Sequence, residues 1–118
     1  MLRNRLLISL LLSAVAAFAA DVTGSWNATV ETDQGSGSPT FKFKQTGEAL
    51  TGTYSGMLGE AALTGKVKGD DIEFSFKASP QGEAVMVIYK GKITGDKQMK
   101  GSVDLGGMAS GTFTATKS

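Results

Sequence analysis

The side chains that could do chemistry in this sequence are carboxylates, lysines and two tyrosines, Tyr54 and Tyr89. Histidine and cysteine are absent, and the only arginines are Arg3 and Arg5. That set excludes a nucleophile–base pair built on cysteine or histidine, and a histidine metal site. A carboxylate pair for glycoside hydrolysis would need two acids facing one cavity, roughly 5–10 Å apart. Asp33, Glu48, Glu60, Asp70, Asp71, Glu83 and Asp96 instead fall in turns or at strand ends, where solvated acids are expected, and none falls on an inward face. Asp70 and Asp71 offer only two neighbouring acids toward the six to eight oxygens that calcium takes, and read as a turn. No catalytic residue, metal ligand or cofactor is expected. The chain does not read as an enzyme.

The first twenty residues read as an export signal. Arg3 and Arg5 precede an apolar run from Leu6 to Val15, and Ala17-Phe18-Ala19 supplies a small-x-small cleavage site. The expected organisation is therefore a signal over 1–20 and one domain over 21–118, delivered to a periplasm or outside the cell. Setting Arg3 and Arg5 aside leaves ten lysines against eleven acids, a net charge of −1 with no arginine clamp for phosphate. A balanced, well-mixed surface does not fit nucleic acid or an anionic membrane as partner. Without cysteine, the domain must hold together by packing.

The elements that would position any site come from one recurring pattern. Leu50-Thr51-Gly52-Thr53-Tyr54-Ser55-Gly56 alternates apolar or glycine with polar, and returns as Leu63-Thr64-Gly65-Lys66-Val67-Lys68-Gly69 and Tyr89-Lys90-Gly91-Lys92-Ile93-Thr94-Gly95. Looser copies occur at Met99–Val103, Ala109–Phe113 and Val22–Trp26. Period-2 alternation between turn residues marks half-buried antiparallel strands. It places eight strands at 22–32, 39–46, 49–55, 61–68, 71–79, 84–94, 98–105 and 109–117. Short turns between them favour an eight-stranded antiparallel up-and-down barrel, with a β-sandwich as the alternative. Six of these strands carry a glycine on the apolar side. Such glycines suit a sharply bent sheet with room for rings, or line a small cavity.

Every aromatic after the signal, from Trp26 to Phe113, falls on the apolar side of its strand. The other side is lysine, threonine and serine, which suits a water-soluble barrel and not one whose outward band must be apolar. With all rings inside, no aromatic platform is left for stacking a sugar. The turns near Gly47, Gly69 and Gly95 share one end and are tight. The loops at 33–39, 56–60, 79–83 and 105–108 share the other, which therefore reads as the wider mouth. Met57, Leu58, Leu105 and Met108 ring that mouth, with Tyr54 and Phe76 in the upper interior, and these six are the candidate ligand contacts. They could equally close a lid over a filled core. Met86 and Ile88 break the polar side of the sixth expected strand and are candidates for an interface.

Thr23-Gly24-Ser25-Trp26, followed by Leu50-Thr51-Gly52-Thr53-Tyr54, resembles the opening strands of avidin-type barrels, and Gly24-x-Trp26 is similar to the first-strand signature of lipocalins. The likeness covers the first third of residues 21–118 and implies a calycin-like barrel. Tyr54 matches a tyrosine that contacts the biotin ureido group in the avidin family. That family's serine two residues later is Gly56 here, its asparagine after the tryptophan is Ala28, and Trp26 is the only tryptophan. The arginine that packs on the lipocalin tryptophan has no counterpart either. The expected function is non-enzymatic binding of a small apolar ligand at the wider end. The rival is a structural or interaction module with a filled core.

Overall fold

The computed structural model describes residues 21–79, 84–95 and 97–118. The expected export signal, the turn at Pro80-Gln81-Gly82 with Glu83, and Asp96 lie outside the described residues. Nine strands form one sheet: β1 (Gly24–Thr32), β2 (Gly35–Gly37), β3 (Thr40–Thr46), β4 (Ala49–Gly56), β5 (Gly59–Lys68), β6 (Asp71–Ala78), β7 (Val85–Thr94), β8 (Gln98–Leu105) and β9 (Ser110–Lys117). From β3 to β9 each strand pairs antiparallel with the next, β1 pairs with β3, and β9 returns to β1 through Trp26↔Lys117 to Thr32↔Gly111. That last ladder closes the sheet. The fold is an eight-stranded antiparallel barrel with one short extra strand, and the sandwich alternative falls because no edge is left between β9 and β1.

β2 corrects the expected long loop over 33–39. The chain turns tightly through Asp33 and Gln34, and Thr32 pairs with Gly35. The Thr32 hydroxyl donates to the Gly35 carbonyl at 2.9 Å and accepts from the Gln34 amide at 3.0 Å. β2 and β3 hold one register against β1, with Val30↔Gly37 and Asn27↔Thr40. The interruption falls at Ser38 and Pro39. The Ala28 amide still donates to the Pro39 carbonyl at 2.9 Å, but proline has no N–H to return the bond, so the ladder loses a rung there. No apolar alternation exists in Gly35-Ser36-Gly37 to reveal it as strand.

The first strand also starts later than expected. Asp21–Thr23 leaves the sheet and folds across the tight end of the barrel, where Val22 is 1% exposed. The Val22 amide donates to Gln45 Oε1 at 2.9 Å and its carbonyl accepts Trp26 Nε1–H at 2.8 Å. This arm seals the floor.

Alternation decides what lies inside. Trp26, Phe41, Phe43, Tyr54, Phe74, Phe76, Tyr89 and Phe113 are all buried, with Leu50, Leu63, Val67, Ile72, Ile93, Met99 and Val103 around them. Phe41 sits at the centre, its ring 5.0 Å from Phe74, 5.2 Å from Tyr89 and 5.5 Å from Phe43. Edge and offset contacts of this kind add to burial. The inward glycines answer to a different constraint. A Cβ at Gly52, Gly65, Gly101 or Gly111 would fall on the carbonyl oxygen of Lys42, Glu73, Lys90 or Glu31 in the neighbouring strand. The sheet coils so tightly that backbone occupies the space of a side chain. Room for rings is secondary, although a Cβ at Gly65 would also come within 2.7 Å of Phe74 Cβ.

A candidate ligand cavity at the barrel mouth

The ends of the barrel differ because their turns differ. At the end opposite the Val22 arm, the β1–β2 and β4–β5 turns and the β8–β9 connection converge. Between them opens a cavity of about 220 Å³. Tyr54 and Tyr89 contribute aromatic walls, Leu58, Leu105 and Val30 aliphatic ones, and the backbone from Gly35 to Pro39 forms one side. Gln34, Ser36, Ser38 and Thr32 add uncharged polar groups, and no lining residue among those described carries a charge.

Local sequence explains the Tyr54 side. Gly56 pairs with Gly59 across a two-residue turn of Met57 and Leu58, which the positive φ of Gly59 (96°) permits. The turn folds Leu58 inward against the core, and its amide donates to Tyr54 Oη at 3.4 Å. A Cβ at position 56 would lie 2.6 Å from that same oxygen, so the glycine in place of the avidin-type serine is what admits the tyrosine hydroxyl. Met57 stays 80% exposed, with its sulfur laid across Gly37. The β4–β5 turn therefore touches β2 over the rim.

Of the six candidate contacts, Tyr54, Met57, Leu58 and Leu105 line the cavity. Phe76 and Met108 do not. Phe76 stacks flat against Tyr54, with centroids 4.3 Å apart and planes at 21°, and supports that ring from behind. Met108 is turned outward by its own loop, in which the Leu105 amide donates to the Ala109 carbonyl and the Met108 amide to the Leu105 carbonyl. Met86 and Ile88 lie on the outer face, where Met86 borders a shallow groove with Ala62, Thr64 and Ser75. Tyr89, which alternation placed inside without assigning it to the mouth, is a lining residue that the sequence reasoning missed. Strand tilt in a barrel carries a mid-strand residue toward one rim, and single-strand patterns do not encode that stagger.

Both tyrosines are held protonated. Burial pushes the Tyr89 phenol well above the ordinary tyrosine range, and the nearby Tyr54 adds to it. Burial also raises Tyr54, against the opposing pull of the Leu58 amide. The linkage sign follows: unfolded tyrosines ionise near pH 10 while the native ones resist, so this stability is complete below pH 10 and is lost as pH rises toward the native values. Between pH 10 and 11 the resisting Tyr89 costs about 1 kcal/mol of stability. Tyr89→Phe should remove its share, giving a shallower fall in urea-measured stability above pH 10 with an unchanged value at pH 7. An identical alkaline slope in both proteins would mean that Tyr89 titrates normally.

No family model matches the chain, and no curated protein does. Similarity emerges at the level of solved structures. The chain is similar to a redesigned β-barrel, b11L5F_LGL, with a TM-score of 0.68 and 16% identity over 82% of this chain and 91% of that one. It is similar also to the redesigned β-barrel mFAP0, solved bound to DFHBI, at a TM-score of 0.61 and 15% identity over 81% of this chain and 98% of that one. A third, the redesigned barrel mFAP1 bound to DFHBI, gives 0.60 and 11% identity over 82% and 94%. At such identities the likeness is one of fold.

Proposed function

We propose that the protein is an exported, non-enzymatic binding protein that takes a small, largely apolar ligand into the cavity at its mouth. The observation that carries this reading is an uncharged cavity of about 220 Å³ above a core otherwise filled by rings. Mouths of β-barrels are recurrent ligand sites, and a concave apolar wall with a few polar groups is their usual chemistry. Barrels of similar fold, mFAP0 and mFAP1, each hold DFHBI, which supports it. A catalytic role is disfavoured because no lining residue can act as a strong acid, base or nucleophile near neutral pH. The signal-like segment over 1–20 supports delivery to a periplasm or the cell exterior.

Titration with an environment-sensitive apolar dye tests this. Wild-type protein should give a saturable, one-to-one signal. Leu58→Lys should weaken it by about tenfold or more, because an ammonium placed in a desolvated wall is costly. Met108→Lys, outside the cavity, should leave it unchanged. Non-saturable binding, or equal loss in both variants, would overturn the assignment.

A further inference from the structure

The Tyr89 side chain carries a feature that filling the core does not require. Five phenylalanines, Phe41, Phe43, Phe74, Phe76 and Phe113, pack the same interior without a hydroxyl. Tyr89 is 3% exposed, and its ring is fixed by stacking on Phe74 at 4.9 Å and 7° and by edge contacts with Phe41 and Phe113 at 5.2 and 5.0 Å. The position of its oxygen is therefore set by packing. That hydroxyl makes no hydrogen bond among the described residues, yet no sealed side-chain polar atom is left without a partner. The oxygen consequently is not sealed, and Tyr89 lines the cavity, so its hydroxyl opens there. Tyr54 adds a second hydroxyl in the same wall, which accepts from the Leu58 amide and keeps its own hydrogen to give.

We infer that Tyr89 is the polar anchor of the cavity, and that the ligand is an uncharged one- or two-ring compound presenting a hydrogen-bond acceptor, such as a carbonyl oxygen, to its hydroxyl. This inference rests on the binding function proposed above and specifies its ligand class. Size sets the ring count: a dry cavity of about 150 Å³ accommodates benzene, and this one is moderately larger. Charge is excluded by the lining. A carboxylate entering here would give up its water with no lysine or arginine to replace it, and two neutral hydroxyls do not compensate a desolvated anion. An acceptor is selected over a purely apolar guest because binding the latter would strip water from a phenol left without a partner.

Titration calorimetry with three probes of matched shape decides the matter: indane, 1-indanone and indane-2-carboxylate, each with wild type and with Tyr89→Phe. In wild type, 1-indanone should bind about tenfold tighter than indane, and the carboxylate weakest. Tyr89→Phe should close that gap from both sides, weakening 1-indanone and strengthening indane, which no longer strips water from a phenol, while thermal melts report an intact fold. Equal affinity for indane and 1-indanone in wild type, or parallel loss of all probes in the variant, would overturn the anchor while leaving a real cavity. A carboxylate that binds tightest would overturn the neutral class. Failure of all three to bind wild type would overturn the anchor together with the binding function beneath it.

Discussion

Gly52→Ala should lower the unfolding free energy by about 3 kcal/mol, at the upper end for overpacking by a single methyl. In most cores an added methyl displaces a flexible side chain. Here the obstacle is backbone: a Cβ at Gly52 would fall on the Lys42 carbonyl oxygen and close to Phe43 Cα. Relief requires the β3–β4 ladder to separate at Phe43↔Gly52, and the barrel closes on both sides of that pair, so neither strand can move alone. Gly65 and Gly111 face the same obstruction from Glu73 and Glu31 and should behave alike. Gly47 makes the contrast. It takes φ 62° in a turn with no atom within 4 Å of its missing Cβ, so its requirement is for a left-handed backbone that asparagine also tolerates. Gly47→Asn should therefore cost no more than about 0.5 kcal/mol. Urea denaturation of the pair is the measurement. Equal midpoints would show that the inward glycines serve local flexibility and not the coil of the sheet.

Legibility followed the physics of each feature. Strand positions were readable because alternation with period 2 is a local property, and the bounds of β3 to β9 fall within two residues of those expected, β5 included. The inward set was readable for the same reason, since all eight rings are buried as alternation demands. Closure was legible only as an inference from inward glycines. What fixes it is the pairing of Thr32 with Gly111 and Trp26 with Lys117, between residues far apart in the chain. β2 was not legible: Gly-Ser-Gly has no side-chain pattern, and its strand character comes wholly from the ladder offered by β1. The cavity was half legible. Loops holding Leu58 and Leu105 announced an apolar mouth, but orientation within a turn depends on its hydrogen bonds, which sent Met108 outward. The role of Tyr89 depended on stagger between strands and on which oxygen lacks a partner, and neither is written in one segment.

Trp26→Ala should be the most damaging single truncation, at about 3–5 kcal/mol. A domain of about 98 residues holds roughly 5–15 kcal/mol in total, so this removes a fifth of it or more. The side chain is wholly buried, packs 6.4 Å from the Phe43 centroid, and donates from Nε1 to the Val22 carbonyl at 2.8 Å. Two losses therefore combine. Removing the indole opens a cavity at the floor of the barrel, and it unties the arm over Asp21–Thr23 that covers that floor. Trp26→Phe separates them, because it keeps most of the volume and deletes only the donor. It should cost about 1–2 kcal/mol, the share of a buried carbonyl left without its partner and a small void. Hydrogen exchange locates the effect: Val22 N–H, held by Gln45 Oε1 in the native protein, should lose protection in both variants before the β6–β7 amides do. A Trp26→Ala protein that loses less than 1 kcal/mol, with Val22 still protected, would show that the arm and the floor are held by something other than the indole.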